Sequence, residues 1–152
     1  MSQEKILTRP QLLDRLEHLR AGGKRVVFTN GCFDLQAARA LGDLLVVGVN
    51  SDASVRSLNK APDRPIVPEA QRAEVLAALG CVDVVVIFPE PDPHALIAAV
   101  QPDVLVKGGD WAVDRIVGRD IVEARGGTVR TIPLVPDIST TALIHRIRST
   151  PI

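Results

Sequence analysis

The segment 29–34, with the sequence Thr-Asn-Gly-Cys-Phe-Asp, combines residue types suited to holding a phosphate group. It follows a short run of β-branched residues, and Gly31 would let the backbone approach a ligand closely. Backbone amides at the start of a following helix can then bind the phosphate. An ordinary Asn30-Gly31 turn is the alternative for this segment taken alone. Because it is neither a GxGxxG fingerprint nor a Walker A loop, NAD-binding and P-loop interpretations lose their main support.

Two later segments have similar chemistry. Lys107, Gly108 and Asp110 belong to a Lys-Gly-Gly-Asp-Trp segment, in which the glycines suit a loop lying against a phosphate. Asp110 could hold Mg²⁺ directly or through water, or it could cap a strand-to-helix turn. Ser139 and Thr140 open the last candidate helix, where hydroxyls and free amides can bind phosphate oxygens. Ordinary N-capping is the alternative there.

A sparse basic set surrounds a proline-containing loop between residues 61 and 68. Lys60, Arg64 and Arg72 could neutralise the charge of a triphosphate and of departing pyrophosphate. A solvated surface loop is the alternative, and in that case Arg72 would pair with Glu69 one turn earlier. The spacing of these residues leaves both interpretations open.

Cysteines and histidines are few and scattered. Cys32 and Cys81 lie far apart in apolar settings, which rules out a disulfide framework and a cysteine-rich zinc site. The histidines, His18, His94 and His145, are isolated on candidate helices, and none has a partner at ligand spacing. We therefore interpret all three histidines as structural or surface residues and expect no protein-bound zinc.

The composition is that of a soluble globular protein, with 46% apolar and 24% charged residues in a chain of 152. Lysine plus arginine (18) equals aspartate plus glutamate (18), so no global field attracts DNA, RNA or an acidic membrane. We expect no nucleic-acid partner and no membrane partner. The first ten residues contain charges and no apolar h-region, and no apolar run approaches 18 residues. These features predict a cytoplasmic protein.

Apolar segments alternate in type along the chain and must position the residues above. Candidate strands are rich in Val, Leu and Ile, and they cover Arg25 to Phe28, Leu44 to Val49, Val82 to Phe88, Val104 to Val106 and Thr128 to Ile132. Strands of continuous apolar composition are typical of a parallel sheet covered on both faces. Candidate helices between or beyond them begin after Thr8, which starts a capping box with Gln11, and cover Glu69 to Leu79, Pro93 to Val100, Ile116 to Ala124 and Thr140 to Arg148.

This alternation predicts an α/β fold: a Rossmann-like, doubly wound sheet of about five parallel strands with helices on both faces. No linker, repeat or low-complexity tract interrupts the chain, so we expect a single domain over residues 1–152. Such a sheet binds ligands beyond the carboxyl ends of its strands, where the strand order reverses. The phosphate-binding candidates all follow strands or open helices, so we expect them to meet at that edge. A homodimer is the default assembly because two-fold dimers are the commonest.

Taken in order, the segments resemble the cytidylyltransferase-like nucleotidyltransferases, and among these the heptose 1-phosphate adenylyltransferases. The matching motifs run from the first strand to the last helix, which is nearly the whole chain. They are Thr-Asn-Gly-Cys-Phe-Asp at 29–34, Ala-Arg-Ala-Leu-Gly-Asp at 38–43, Leu-Val-Val-Gly-Val-Asn-Ser-Asp at 45–52, Arg-Pro at 64–65, Gln-Arg-Ala-Glu-Val-Leu at 71–76, Val-Lys-Gly-Gly-Asp at 106–110 and Ser-Thr-Thr-Ala-Leu-Ile at 139–144. Any one motif is weak, whereas the ordered set is specific.

The resemblance implies transfer of AMP from ATP to a heptose 1-phosphate, with Mg²⁺ on the phosphates and pyrophosphate as the leaving group. It also implies roles for individual residues. Lys60 and Arg72 would be catalytic by neutralising the triphosphate, and Asp52 would face the sugar phosphate. The nucleotide would be held by Thr29, Asn30, Gly31, Phe33, Lys107, Gly108, Asp110, Ser139 and Thr140.

One departure from the family pattern lies at the start of the first crossover helix. The family has a His-x-Gly-His motif just after Phe-Asp-Leu, whose histidines stabilise charge on the α-phosphate. Here Leu35 runs directly into Gln36, so the motif is absent together with roughly two turns of helix. None of the three remaining histidines can substitute by its place in the sequence.

The connection that remains is short for a parallel crossover. A strand of about 17 Å needs a return helix of roughly 11 residues, and Leu35 to Leu41 offers seven. There are two explanations. Either a stretch of the active site has been left out of the sequence and the residues on both sides of it are numbered continuously, or the protein truly lacks this stretch and is inactive. We favour omission, which predicts that somewhere between Asp34 and Gln36 the distance between neighbouring Cα atoms far exceeds the 3.8 Å of a trans peptide. A normal bond there would contradict it.

Three other functions remain as alternatives. The first is a CTP-dependent transferase acting on another phosphorylated alcohol. Leu134 and Val135 argue mildly against it, since such relatives tend to have an arginine in this stretch. The second is a nucleotide-binding module without catalysis, which a real deletion would produce. The third, a flavodoxin-like regulatory domain, would leave the Ser-Thr-Thr and Lys-Gly-Gly-Asp motifs unexplained.

Overall fold

A computed structural model of the chain describes residues 2–31, 34–58, 62–109, 112–134 and 140–149. Five strands form one sheet in the order β3-β2-β1-β4-β5, and every neighbouring pair is parallel. The strands are β1 (Val26–Thr29), β2 (Leu44–Asn50), β3 (Val84–Phe88), β4 (Val104–Gly108) and β5 (Thr128–Ile132). The predicted α/β fold with a five-stranded parallel sheet is confirmed.

The helices lie between the strands and close to their predicted positions. They are α1 (Arg9–Ala21), α2 (Leu35–Arg39), α3 (Asp52–Ser57), α4 (Glu69–Ala78), α5 (His94–Val100), α6 (Arg119–Ala124) and α7 (Thr140–Ser149). Helix α3 was not predicted, and α6 begins three residues later than the sequence pattern indicates. Its later start follows from Gly118, which precedes the helix in a left-handed conformation with φ of 86°.

The apolar core has two layers, one on each face of the sheet. On one face, Leu12 and Leu16 of α1 pack with Leu96 and Ile97 of α5. On the other face, helices α2 and α4 contribute the small buried residues Ala38, Ala73 and Ala77. Strands β1, β2 and β4 are buried along most of their length, as their continuous Val, Leu and Ile composition predicts.

Strand β5 departs from this pattern. Arg130 and Thr131 are exposed, and the other three residues of the strand are only half-buried. As the last strand in the order, β5 has a neighbour on one side only. An arginine on an exposed edge strand discourages pairing with other chains.

At the opposite edge, β3 is covered by the N-terminal segment. Ile6 forms a parallel bridge with Val85, and Leu7 N donates a 2.9 Å hydrogen bond to Val85 O. Thr8 then caps α1 through the predicted capping box with Gln11, which is confirmed. The segment before α1 therefore protects an otherwise open strand edge.

Asp34 leads directly into α2, without the large Asp34–Gln36 separation that the short connection predicted. Asp34 caps α2, its side chain accepting from Ala37 N at 3.0 Å and its carbonyl from Ala38 N at 3.2 Å. The five residues of α2 cover about 7.5 Å at 1.5 Å each, and the turn over residues 40–43 completes the return along β1, whose four residues span about 13 Å at roughly 3.3 Å each. The expectation assumed a longer strand.

Candidate active site

The reversal of strand order lies between β1 and β4, because the chain builds outward from β1 to β2 and β3 before crossing to β4. Thr29 is paired in register with Val106, so Asn30 and Lys107 follow on adjacent strands. Lys107 Nζ donates a 2.6 Å hydrogen bond to Asn30 Oδ1. Two of the predicted nucleotide-binding residues therefore meet at the switch point of the sheet.

The turn after β1 is held locally. Gly31 N donates to Thr29 Oγ1 at 3.3 Å, and Thr29 itself is fully buried. Thr29 thus uses its hydroxyl to shape the turn. The family resemblance implies a nucleotide contact for Thr29; in the structure its side chain lies beneath the turn that includes Asn30 and Gly31.

The loop after β4 requires glycine at one position. Gly109 has φ of 87°, a left-handed conformation that residues with a Cβ rarely adopt. Its N–H donates to Ile132 O at 2.8 Å, and an added Cβ would lie 3.1 Å from Leu134 Cδ1. The chain therefore turns at Gly109, next to Ile132 at the end of β5.

Asp52 and Arg72 form an ion pair beside the end of β2. Arg72 Nη2 lies 2.7 Å from Asp52 Oδ1, and Arg72 Nε donates to Val67 O at 2.9 Å. Glu69 accepts a hydrogen bond from the backbone N–H of Asp52. The alternative pairing of Arg72 with Glu69 is therefore wrong. Arg72 pairs with Asp52, and the Glu69 carboxylate binds the backbone N–H of the same Asp52.

The Arg72 guanidinium lowers the pKa of Asp52 by donating a hydrogen bond to its carboxylate. The Asp52 side chain is therefore ionised at neutral pH and is paired with the Arg72 cation. The resemblance placed Asp52 at the sugar phosphate and Arg72 at the triphosphate, as separate roles. In the structure the two side chains act as one unit at the carboxyl end of β2.

A hydrogen-bonded cluster behind this pair escaped the sequence analysis. Asn50 Nδ2 donates to Ser54 Oγ at 2.9 Å, and Ser54 Oγ donates to Glu90 O at 2.7 Å. Ser51 caps α3 by accepting from Ser54 N at 3.1 Å. The Ser51 cap is a signal that could have predicted α3. The cluster ties the end of β2 to the turn after β3.

Several predicted site residues lie outside the described part of the chain. They are Phe33, Lys60, Asp110 and Ser139. Thr140 is described as the first residue of α7, but its side chain is not. Among the described candidates, the structure brings Asn30 and Lys107 into contact and places Asp52 with Arg72 at the same edge of the sheet.

A cavity of about 380 Å³ lies away from this edge. It borders the first turn of α2 and the connection from α4 to β3, and it is lined by Asp34, Leu35, Gln36, Leu79, Gly80 and Cys81. No residue of the Asn30–Lys107 or Asp52–Arg72 pair lines it.

Two further observations concern metals and membranes. Within the described ranges, no three His, Cys, Asp or Glu side chains gather closely enough to bind a metal ion. None of the helices in that part of the chain has the length and apolar character needed to span a bilayer.

Comparisons with known proteins show the family of the chain. A family model described as cytidylyltransferase-like matches residues 28–150. The chain is 54% identical to the bifunctional protein HldE of Syntrophotalea carbinolica over 94% of its own length and 31% of that protein, and 51% identical to that of Ectopseudomonas mendocina over 97% and 33%. It therefore spans about a third of the curated relatives it matches.

A solved structure with a similar fold is the lipopolysaccharide core biosynthesis protein from Thermoplasma volcanium. The two share 26% sequence identity with a TM-score of 0.56, over 74% of this chain and 97% of that one. The structural likeness supports the doubly wound sheet that the strand order shows.

The alignments also bear on the missing segment. The match to the Syntrophotalea protein extends over 152 positions but covers 94% of this 152-residue chain, about 143 residues. The match to the Ectopseudomonas protein extends over 157 positions and covers 97%, about 147 residues. Each relative therefore has about nine or ten residues that this chain lacks, roughly two and a half helical turns at 3.6 residues per turn.

Proposed function

Because the chain belongs to the cytidylyltransferase-like family of nucleotidyltransferases, we propose that it transfers AMP from ATP to a heptose 1-phosphate. The products would be ADP-heptose and pyrophosphate, for the core of lipopolysaccharide or another surface glycan. The names of the bifunctional relatives and of the lipopolysaccharide core biosynthesis protein support this assignment.

The contact between Lys107 and Asn30 is the single observation on which the proposal depends most. It joins two segments that are predicted to bind nucleotide, 77 residues apart in sequence, at the crevice where doubly wound sheets bind ligands. An ammonium group fixed in that crevice attracts phosphate oxygens. Gly31 and Gly108 flank the pair and leave room for a ligand to approach the backbone.

In the proposed reaction, an oxygen of the sugar 1-phosphate attacks the α-phosphorus of ATP and pyrophosphate departs in line. The protein positions the two substrates and stabilises the charge that develops on the phosphates. Lys107 would hold phosphate oxygens above β1 and β4, while Arg72, oriented by Asp52, would face them from the end of β2. Lys60, Phe33, Asp110, Ser139 and Thr140 remain proposed contacts on the resemblance alone. Bound with ATP, Mg²⁺ would screen the charge of the triphosphate.

A nucleotide-binding module without transfer is the second candidate, and the short α2 favours it. The helix begins at Leu35, directly after its cap, and leaves no position for the His-x-Gly-His motif. If those histidines are indispensable, nucleotide would bind beside Lys107 and no transfer would follow. CTP in place of ATP is the alternative within the enzyme class.

We also propose a homodimer in the cytoplasm. Ile66, Val67 and Val75, on α4 and the loop before it, have exposed fractions of 57%, 41% and 66%. Apolar side chains exposed together favour a contact between protein surfaces. Light scattering of the purified chain would test the dimer, and a monomeric mass would contradict it.

Release of pyrophosphate tests the proposed function directly. The purified chain is incubated with Mg²⁺, heptose 1-phosphate and either ATP or CTP, and pyrophosphate is followed by a coupled assay. We expect release with ATP that requires the sugar phosphate and is lost in Lys107→Met. Binding of ATP without release would favour the non-catalytic module, and release with CTP alone would contradict the adenylyltransferase.

A further inference from the structure

Helices α3 and α4 begin side by side, and their first residues are joined in both directions. Asp52 is the first residue of α3, and Glu69 is the first residue of α4. The Glu69 carboxylate accepts a hydrogen bond from the backbone N–H of Asp52. In return, hydrogen bonding from the backbone of Glu69 helps to lower the pKa of the Asp52 carboxyl. The starts of the two helices therefore hold each other across 17 residues of chain.

Both carboxylates suit these positions. The first N–H groups of a helix have no partner within it, and the helix dipole favours a negative charge there. Ser51 caps α3 with its own side chain, whereas Pro68, at the same position before α4, makes no side-chain hydrogen bond. Proline has no side-chain acceptor to offer. The Asp52 carboxylate therefore supplies to α4 an acceptor that Pro68 cannot.

Glu69 fixes the main chain that carries the Asp52 carboxylate. Arg72, one turn further along α4, pairs with that carboxylate at 2.7 Å. Asp52 is thus bound twice from the same helix, at its backbone by Glu69 and at its side chain by Arg72. All three residues are only half-buried, and an ion pair in contact with water is weak when its members are free to move. The backbone contact removes part of that freedom.

We propose that Glu69 is a positioning residue for nucleotide binding: by holding the backbone of Asp52, it keeps Asp52 on Arg72 and so orients the guanidinium toward the phosphates. The proposal rests on the proposed function for the role of Arg72. Glu69 acts through Asp52 and needs no contact of its own with the ligand. The property that matters is the reach of its acceptor oxygen, which glutamine retains and which alanine and aspartate lack.

Calorimetric titration with Mg²⁺-ATP separates reach from charge. We expect Glu69→Ala to weaken binding about threefold or more, the size of a coupling within one hydrogen-bond network. Glu69→Asp keeps the charge at the start of α4 but is one methylene shorter, so it should lose affinity too. Glu69→Gln keeps the reach without the charge and should bind as the wild type does. Glu74→Ala, at an exposed glutamate on the same helix, is the matched control and should leave the affinity unchanged.

An Arg72→Met background shows whether the effect passes through Arg72. There, Glu69→Ala should cause no further loss of ATP affinity, because the group that it positions is already gone. A structural glutamate would instead lower the melting temperature and weaken ATP binding equally in both backgrounds. If Glu69→Ala does not fold, Glu69→Asp takes its place, since aspartate is also favoured in the first turn of a helix.

The pKa of Asp52 supplies a readout that a merely structural role would not move. Hydrogen bonding from Arg72 is the largest cause of its lowering, and Arg56 on α3 is a weaker one. Removing the negative charge of Glu69 would, by Coulomb interaction alone, lower this pKa further. If Glu69 keeps Asp52 on Arg72, Glu69→Ala loosens the pair, and the pKa rises toward its ordinary value of about 4. Carboxyl ¹³C NMR over acid pH measures the shift.

Four results would overturn the proposal: equal ATP affinity in the wild type and Glu69→Ala, an equal loss with and without Arg72, a pKa of Asp52 that falls or stays the same in Glu69→Ala, and a wild type that binds no ATP. None of these measurements requires turnover. A chain that binds ATP through Glu69 and Arg72 but releases no pyrophosphate would therefore contradict only the proposed transfer.

Discussion

Lys107 Nζ and Asn30 Oδ1 lie 2.6 Å apart although 77 residues separate them in sequence. Their meeting follows from the register of β1 and β4, in which Thr29 is opposite Val106, so that the next residue on each strand lies at the same edge. An amide oxygen orients the ammonium without neutralising its charge. The pair therefore lies at the switch point, where doubly wound sheets bind ligands.

We predict that Lys107→Met weakens ATP binding about tenfold or more, because one charge-assisted contact is lost. Asn30→Ala should have a smaller effect, since the ammonium remains but is no longer oriented. The double variant should be no worse than Lys107→Met alone, because the two side chains act as a pair. Calorimetry measures all three affinities. Lys24→Met, at a mostly exposed lysine, is the control, and additive losses would contradict the pairing.

We predict that the ion pair between Asp52 and Arg72 makes stability depend on pH in acid. Because the folded state has the lower pKa, ionised Asp52 contributes stability above its ordinary pKa of about 4, and this contribution is lost as pH falls through the lowered value. Melting curves should show Asp52→Asn less stable than the wild type from pH 6 to 8. The difference should shrink below about pH 4.

The control for that experiment is the same substitution in an Arg72→Met background. Without the guanidinium, the pH-dependent difference should be clearly smaller, because only the weaker effects of the Glu69 backbone and of Arg56 still lower the pKa of Asp52. A difference between wild type and Asp52→Asn that stays constant down to about pH 3 would contradict the assigned cause.

Gly48→Ala should destabilise the fold by about 1–3 kcal/mol, because a methyl group there overfills the core. An added Cβ would lie 2.9 Å from Phe28 Cζ and 3.2 Å from Phe88 Cε1, both on fully buried side chains. Urea denaturation measures the loss. Gly80→Ala is the matched control, since no atom lies within 4 Å of its added Cβ. Equal stability of the two variants would contradict the packing around Gly48.

Restoring the missing segment should raise the rate of transfer. Inserting the corresponding residues of the Syntrophotalea carbinolica relative between Leu35 and Gln36 would add the histidines expected from the family resemblance. We predict at least a hundredfold faster pyrophosphate release, the usual effect of a group that stabilises charge in the transition state. The control insertion has alanine at both histidines. Equal rates for the two insertions would show that the histidines do not limit transfer.

Pattern and composition predicted the sheet well and its shortest connection poorly. Continuous Val, Leu and Ile runs gave five strands within a few residues, because burial on both faces demands apolar side chains at every position. The β1–β2 connection was misjudged because its required length depends on the length of β1, which has four residues. Helix α3 was missed because its six residues show no apolar period and only the Ser51 cap marks its start.

For the candidate site, too, sequence patterns predicted one part and missed another. Motif types alone identified Asn30, Lys107 and Arg72 as residues to inspect, but their partners could not be derived from spacing. Pairing with Glu69 on its own helix was the alternative for Arg72, and the fold instead brings Asp52 to it from the end of β2. Sequence spacing describes neighbours along one helix, whereas contacts between elements depend on how those elements pack.

The amino-acid sequence by itself determined the α/β class, the parallel sheet and the residues able to bind phosphate. These follow from local composition and from which side chains can be buried. Only the tertiary structure decided that Lys107 meets Asn30, that Asp52 holds Arg72 and that Glu69 holds the backbone of Asp52. Strand order and register bring distant segments together, and no property of a single segment encodes that proximity.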